Sequence, residues 1–153
     1  MYFNIISTKR SAIARTARST ALAIARVMLD KKATDALILK VAPMSTVADY
    51  LVIGSADSDR QASAIADHID GILSRSGSKP LSIEGRRSSQ WVLMDFGDVI
   101  VHIFRQDVRK HYALERLWAD AKRIAIPGEP AATKPVVTPQ PVKRKKAPMK
   151  AKA

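Results

Sequence analysis

The sequence predicts an α/β domain in which helices pack on a mixed β-sheet of about five strands. Three observations support this fold class. Segments of helical periodicity alternate with short runs typical of strands. Two of those runs are separated by a tight Phe96-Gly97 turn, as in a hairpin. The chain has 153 residues and no cysteine, so it suits one domain that folds around an apolar core without disulfides.

The first half of the chain holds two predicted helices that flank two predicted strands. The first helix is rich in Ala and Leu and is apolar on most sides, which indicates burial. Asp57 or Ser58 can cap the second helix, whose apolar residues recur at helical spacing. Pro43 ends the first strand. The predicted elements are a helix over 16–29, strands over 36–42 and 48–54, and a helix that ends near residue 74.

The second half holds three predicted strands and a final helix. A loop rich in serine and glycine precedes a short strand over 81–84. The hairpin strands cover 91–95 and 98–104, and the final helix covers 108–121. Strands that alternate with helices before a hairpin favour a mixed sheet over an all-parallel one.

The hairpin has two different faces because strand side chains alternate. With a Phe96-Gly97 turn, Asp95 faces Asp98 and Trp91 faces His102. Like charges at opposed positions are unfavourable, so this pair fits either a solvated hairpin end or an edge that binds a cationic partner. The apolar face, which predicts core, carries Val92, Met94, Val99, Val101 and Ile103. The mixed face, a candidate for partner binding, carries Trp91, Leu93, Asp95, Asp98, Ile100 and His102.

The predicted final helix has two stripes. Tyr112, Glu115 and Trp118 recur at spacings of three, and an apolar stripe runs beside them. One stripe must pack on the sheet, so the other can contact a partner. Aromatic anchors are typical of interfaces, which makes Tyr112 and Glu115 candidate binding residues, whereas we expect Trp118 to pack in the core.

The positive charge is concentrated at the ends of the chain. The formal net charge is +12, but residues 30–126 contain fourteen bases and thirteen acids. We expect residues 1–15 to form a basic, flexible extension, although a mitochondrial transit peptide has the same Arg- and Ser-rich composition. The Pro/Ala/Lys-rich residues 125–153 predict a disordered tail. Its basic cluster either attracts phosphate without reading sequence, as an RNA tether would, or only adds solubility, and it comprises Lys143, Arg144, Lys145 and Lys146.

The sequence gives little support for chemistry. Gly54-Ser55 follows a predicted strand and precedes a helix, as in nucleotidyltransferases, and Asp57 and Asp59 lie close behind. A metal-binding pair on the next strand would need two acids separated by one apolar residue, and no such triplet exists. The three histidines lack metal-ligand spacing. We therefore predict no enzyme activity, no metal and no cofactor. No apolar run reaches the roughly 18 residues of a membrane span.

Several segments together resemble the ribosomal silencing factor RsfS (Iojap) family. They are DKKATDALILKV, ADYLVIGSADSDRQASAIADHI, SIEG, SSQWVLMDFGDVIVHIF and YALERLW. The resemblance covers residues 16–119 in the family's order, within a predicted domain over 16–124. The chain departs from the family at Arg105-Gln106, where His-Pro is common, and in the Gly54-Ser55 turn.

This resemblance implies a degenerate nucleotidyltransferase-like fold without enzymatic activity. It also implies binding to the large ribosomal subunit through ribosomal protein L-fourteen, which blocks joining with the small subunit and represses translation when nutrients are scarce. Members are often dimers when free. A cytoplasmic bacterial protein is the expectation. The alternative is a large-subunit biogenesis factor that uses the same surface, and the alternative location is the mitochondrion.

Overall fold

The computed structural model describes residues 16–128 and confirms the α/β class. The predicted elements are present with small changes of boundary, except at the C-terminal end, where the final helix is divided and an additional strand follows. The elements are α1 Ala17–Asp30, β1 Thr34–Lys40, β2 Tyr50–Ala56, α2 Asp59–Arg75, β3 Ser82–Glu84, β4 Trp91–Asp95, β5 Val99–Arg105, α3 Gln106–Tyr112, α4 Leu114–Leu117 and β6 Lys122–Ile124.

The sheet is mixed, with strand order β3-β4-β5-β2-β1-β6. Strands β2 and β5 are parallel, and the other neighbours are antiparallel. The sheet has six strands instead of about five, because β6 pairs Ile124 with Ile38 at the edge of β1. A three-residue Lys-Arg-Ile strand is too short to show a strand pattern in sequence.

Helices α1 and α2 cover one face of the sheet and enclose the larger core. Thr16 accepts a hydrogen bond from the Ser19 amide at the start of α1, and Ser58 accepts one from the Gln61 amide at the start of α2. These side chains satisfy amides that have no partner within the helix. The predicted apolar hairpin face lies in this core, since all five of its residues are fully buried or nearly so.

A second, smaller apolar cluster lies on the opposite face, around Leu39, Leu51, Ile53 and Phe104. The C-terminal segment covers it. The prediction of one helix over 108–121 is wrong, because Ala113 adopts a left-handed conformation with φ of 43° and separates α3 from α4. The predicted Tyr112, Glu115 and Trp118 stripe is therefore not continuous. Trp118 packs against the second cluster, as expected.

The hairpin register differs from the prediction by two residues. Phe96 donates its amide to the Val99 carbonyl, so the turn is Gly97-Asp98. Asp95 lies opposite Ile100 and not opposite Asp98. Trp91 lies opposite Phe104 and not His102. A shift of two residues preserves which side chains share a face, so the two predicted faces are correct although the predicted partners are not.

Candidate functional site

The face opposite α1 and α2 is only partly covered. The second cluster lies under α3, α4 and Trp118, whereas the β3–β4 side of this face remains accessible. Trp91, Leu93 and Asp95 project from β4 on this side and are each half-buried. Glu84 on β3 pairs with Leu93 and is exposed. We call Glu84, Trp91, Leu93 and Asp95 the open strip.

An aromatic cluster fixes the Trp91 end of the open strip. The Trp91 ring centroid lies 4.8 Å from that of Phe104 and 4.8 Å from that of Tyr112. Phe104 is fully buried, whereas Tyr112 is 53% exposed. Tilted aromatic pairs at such distances are stabilising beyond the area that they bury. Trp91 is therefore held between a buried ring and a solvent-facing ring.

His102 is buried and holds Trp91 through a hydrogen bond instead of facing a partner. Trp91 donates its indole Nε1–H to His102 Nδ1 at 3.0 Å, so the imidazole must be unprotonated at that nitrogen. His102 is only 7% exposed, and this burial lowers its pKa from 6.5 to about 4. The sequence placed His102 on the correct face but did not reveal that it is a buried, neutral acceptor.

The two carboxylates of the hairpin have separate roles. Asp95 accepts a hydrogen bond from the Gly97 amide at 2.8 Å, which satisfies one oxygen within the turn. Asp98 is exposed in the turn itself, and its carbonyl accepts the amides of Asp49 and Tyr50. The expected unfavourable carboxylate pair does not exist. Within residues 16–128, neither carboxylate forms an ion pair.

Glu115 is engaged inside the protein. Its Oε2 lies 3.4 Å from Arg109 Nε, and its Oε1 is buried without a hydrogen-bond partner among the described residues. Arg109 also donates to the carbonyl of Asp35 and to Ser55 Oγ, at 2.7 and 2.8 Å. Sequence reasoning missed Arg109, since an arginine on an amphipathic helix gives no signal of such contacts.

The Arg109 contacts occupy the Gly54-Ser55 segment, where the sequence resembles the phosphate-binding turn of nucleotidyltransferases. Gly54 and Ser55 lie inside β2 and not in a turn after it. Ser55 is 2% exposed and is bonded to Arg109, so it cannot receive a phosphate. Asp59, one of the two candidate acids, pairs with Arg105 at 2.9 Å. Within residues 16–128, no three His, Cys, Asp or Glu side chains are grouped as metal ligands.

Arg105 joins three elements at this end of the sheet. It pairs with Asp59 at the start of α2 and with Asp107 at the start of α3. The Arg105 guanidinium holds the pKa of Asp107 down to about 2, and the two carboxylates raise the pKa of Arg105. These exposed pairs orient helices and add little stability. Arg105 therefore links the end of β5 to the starts of α2 and α3.

Two predicted features are not placed by the structure. Residues 1–15 and the basic cluster Lys143, Arg144, Lys145 and Lys146 lie outside the described residues. Within residues 16–128, no helix combines the length and the apolarity needed to cross a membrane. The fold and site together define an α/β domain with a partly accessible strip on one face of the sheet and with Gly54 and Ser55 inside a buried strand.

Comparison with known proteins identifies this domain. The model of the family described as "Ribosomal silencing factor during starvation" matches residues 14–152. Over 92 residues the chain is 45% identical to the ribosomal silencing factor RsfS of Bacillus subtilis, covering 60% of this chain and 78% of that protein. It is 37% identical to RsfS of Halalkalibacterium halodurans over 99 residues, covering 65% and 85%. The chain belongs to the ribosomal silencing factor RsfS family, whose members are non-enzymatic and ribosome-associated.

Solved structures agree with this assignment. A crystal structure of a Chromobacterium violaceum protein has a TM-score of 0.67 at 27% identity and covers 76% of this chain and 96% of its own. A Bacillus halodurans structure has a TM-score of 0.60 at 32% identity and covers 67% and 92%. The chain is also 30% identical over 95 residues to a mouse protein named mitochondrial assembly of ribosomal large subunit protein 1, covering 42% of that protein.

Proposed function

We propose that this protein represses translation by binding ribosomal protein L-fourteen on the large ribosomal subunit and blocking the small subunit from joining. The open strip and Tyr112 carry this proposal, because together they form a partly accessible surface with two aromatic rings in a member of a silencing-factor family. The bacterial relatives favour action in the cytoplasm of a bacterium.

Trp91 and Tyr112 have the properties of interface anchors. Their rings are in contact at 4.8 Å, and Tyr112 is half-exposed in the absence of a partner. The hydrogen bond to His102 and the packing on Phe104 restrict Trp91 before binding. A side chain that is already fixed loses less entropy when it is buried by a partner. Aromatic residues of this kind commonly dominate binding energy.

The charge of the open strip complements a basic partner. Glu84, Asp95 and Asp98 lie on or beside the strip, and none of them forms an ion pair within residues 16–128. Ribosomal proteins are generally basic, so unpaired carboxylates around an apolar centre favour encounter with one and fix its orientation. Glu115 contributes less to this rim, because Arg109 already neutralises it.

Repression by this route requires volume and no chemistry. A domain bound beside the contact surface of the large subunit excludes the small subunit sterically. The absence of enzymatic activity in the family is consistent with this mechanism. The role of the basic tail as an RNA tether remains a prediction, which removal of residues 129–153 tests by its effect on subunit binding.

The proposal is tested by placing a charge on the anchor surface. Tyr112→Glu should abolish cosedimentation with large subunits and binding to purified L-fourteen, because it removes an exposed aromatic anchor beside Trp91 and would bury an unpaired carboxylate in the contact. Val47→Glu is the matched control, since Val47 is 72% exposed on the loop between β1 and β2. Equal binding by Tyr112→Glu and Val47→Glu, with both variants folded, rules out this surface.

A second function is favoured by the mouse relative's name, which assigns that protein to assembly of the mitochondrial large subunit. We infer that an assembly role would use the same surface on an immature particle. Large-subunit precursors that accumulate in cells lacking the protein, with subunit joining unaffected in vitro, would favour assembly over silencing.

A further inference from the structure

We propose that a groove between α2 and the loop over residues 85–89 binds phosphate groups of ribosomal RNA beside the docked ribosomal protein. This inference rests on the proposed function, because it assumes that the open strip is seated on the large subunit. The groove has a volume of about 570 Å³ and lies beside the loop that precedes β4. The residues of its walls that bear on binding are Asp59, Arg60, Ser63, Asp67, Arg86, Arg87 and Ser88.

Both acids of the groove are paired with arginines, whereas two of its arginines are not paired with acids within residues 16–128. Asp67 pairs with Arg86, and Asp59 pairs with Arg105, so both acids of the groove are already neutralised. Arg60 and Arg87 are exposed and form no ion pair among the described residues. The groove therefore presents two available guanidinium groups, and guanidinium matches phosphate geometry closely. The hydroxyls of Ser63 and Ser88 add donors suited to phosphate oxygens.

The loop that carries these groups is fixed in place. Gly85 has a φ of +84°, and a Cβ there would collide with the carbonyl of Trp91. Ser89 donates its amide to the Gly85 carbonyl and its hydroxyl to the Arg86 carbonyl, each at 2.8 Å. The ion pair between Arg86 and Asp67 joins the loop to α2. A preorganised loop of this kind loses little entropy when a ligand binds.

The groove also lies next to the proposed protein-binding surface. Gly85, at one end of the loop, lines a depression of about 280 Å³ on the other side together with Trp91, Leu93 and Glu84. The loop over residues 85–89 therefore separates the open strip from the groove. A partner that covers the open strip would reach this loop. Ribosomal proteins are surrounded by RNA, so the ligand adjacent to such a partner is a phosphodiester backbone. A basic groove matches that ligand, whereas the open strip carries unpaired carboxylates.

Salt dependence of binding tests this proposal directly. Each phosphate that a protein neutralises contributes about −0.7 to −0.9 to the slope of log affinity against log salt concentration. When potassium chloride rises from 50 to 200 mM, the variant with Arg60→Gln and Arg87→Gln should therefore lose less affinity than the wild type. The loss of affinity should be smaller by a factor of about ten, for two phosphate contacts. The full-length chain is used with large subunits at constant magnesium, so the tail contributes equally to both proteins.

Two further variants separate a groove contact from a general charge effect. Arg18→Gln with Arg75→Gln removes the same charge from exposed helix positions outside the groove and should leave the slope unchanged. Ser88→Glu retains every arginine but adds a carboxylate inside the groove, so it should weaken subunit binding. Salt slopes that coincide for the wild type and the variant lacking Arg60 and Arg87 would overturn the proposal, as would an equal change in the helix control.

Purified partners identify what occupies the groove. The groove variants should bind isolated L-fourteen as the wild type does, whereas Tyr112→Glu should not. Weakened binding of the groove variants to isolated L-fourteen would show that the groove contacts protein and would overturn the RNA assignment. Calorimetric binding of ATP that is lost in the groove variants would indicate a mononucleotide site instead. If the groove variants show the expected smaller salt slope but Tyr112→Glu binds as the wild type does, only the proposed protein contact is refuted.

Discussion

The clearest energetic prediction concerns acidification and His102. The imidazole accepts a hydrogen bond from Trp91 and is buried, and its pKa is lowered from 6.5 to about 4. A histidine with a lowered folded-state pKa binds protons more readily when unfolded, so stability is complete above the unfolded pKa and is lost as the pH falls. Integration between the two values predicts a loss of about 2 kcal/mol by pH 5 and about 3 kcal/mol by pH 4.

The assay is urea unfolding followed by tryptophan fluorescence at pH 7.5, 6 and 5, for the wild type and for His102→Gln. Glutamine offers an acceptor to Trp91 but does not titrate, so the wild type should lose about 2 kcal/mol of stability relative to His102→Gln over this range. The pKa of Asp107 is about 2, so its stabilising contribution is lost only as the pH falls below its ordinary value of 3.8 and does not enter this window. Parallel pH profiles for the two proteins would refute the assignment of a buried, neutral His102.

Three other perturbations follow from particular contacts. Gly54→Ala should destabilise the domain by about 1–3 kcal/mol, because a Cβ would lie 2.6 Å from Met28 Sδ, and Met28→Ala should reduce that loss in a double-mutant cycle measured by urea unfolding. An additive double mutant would contradict this contact. Arg109→Met should cost about 1–3 kcal/mol by leaving Ser55 Oγ unpaired in the interior, and an unchanged midpoint of thermal unfolding would contradict it. Asp95→Ala should lower stability by about 1 kcal/mol, because it removes the acceptor of the Gly97 amide. Asp95→Asn retains an acceptor oxygen and should cost less. Equal urea midpoints for the two variants would argue against this role.

The hairpin shows what sequence alone could establish. Alternation correctly divided its residues into a buried face and a mixed face, because the side-chain period of a strand is two. The pairing partners were wrong by two residues, because Phe96-Gly97 and Gly97-Asp98 are both acceptable turns. Gly97 has a φ of +94°, which either turn could use. Register therefore depended on packing of the whole sheet and not on the local sequence.

The C-terminal segment shows a different limit. Its helical periodicity continues across Ala113, and alanine is a strong helix former. Packing of Leu114 and Trp118 on the second cluster requires the chain to change direction, so tertiary contacts override local preference. The role of Arg109 was hidden for the same reason, since its partners Asp35 and Ser55 are 74 and 54 residues away in the chain.

The open strip and Tyr112 are proposed to block subunit joining. Separated ribosomal subunits mixed with the wild type, Tyr112→Glu or Val47→Glu test this block, and sucrose-gradient sedimentation measures the fraction of joined ribosomes. We expect the wild type and Val47→Glu to reduce joining equally and Tyr112→Glu to leave joining unaffected. Joining that is unaffected by the wild type, or reduced equally by Tyr112→Glu, would contradict steric blocking through this surface.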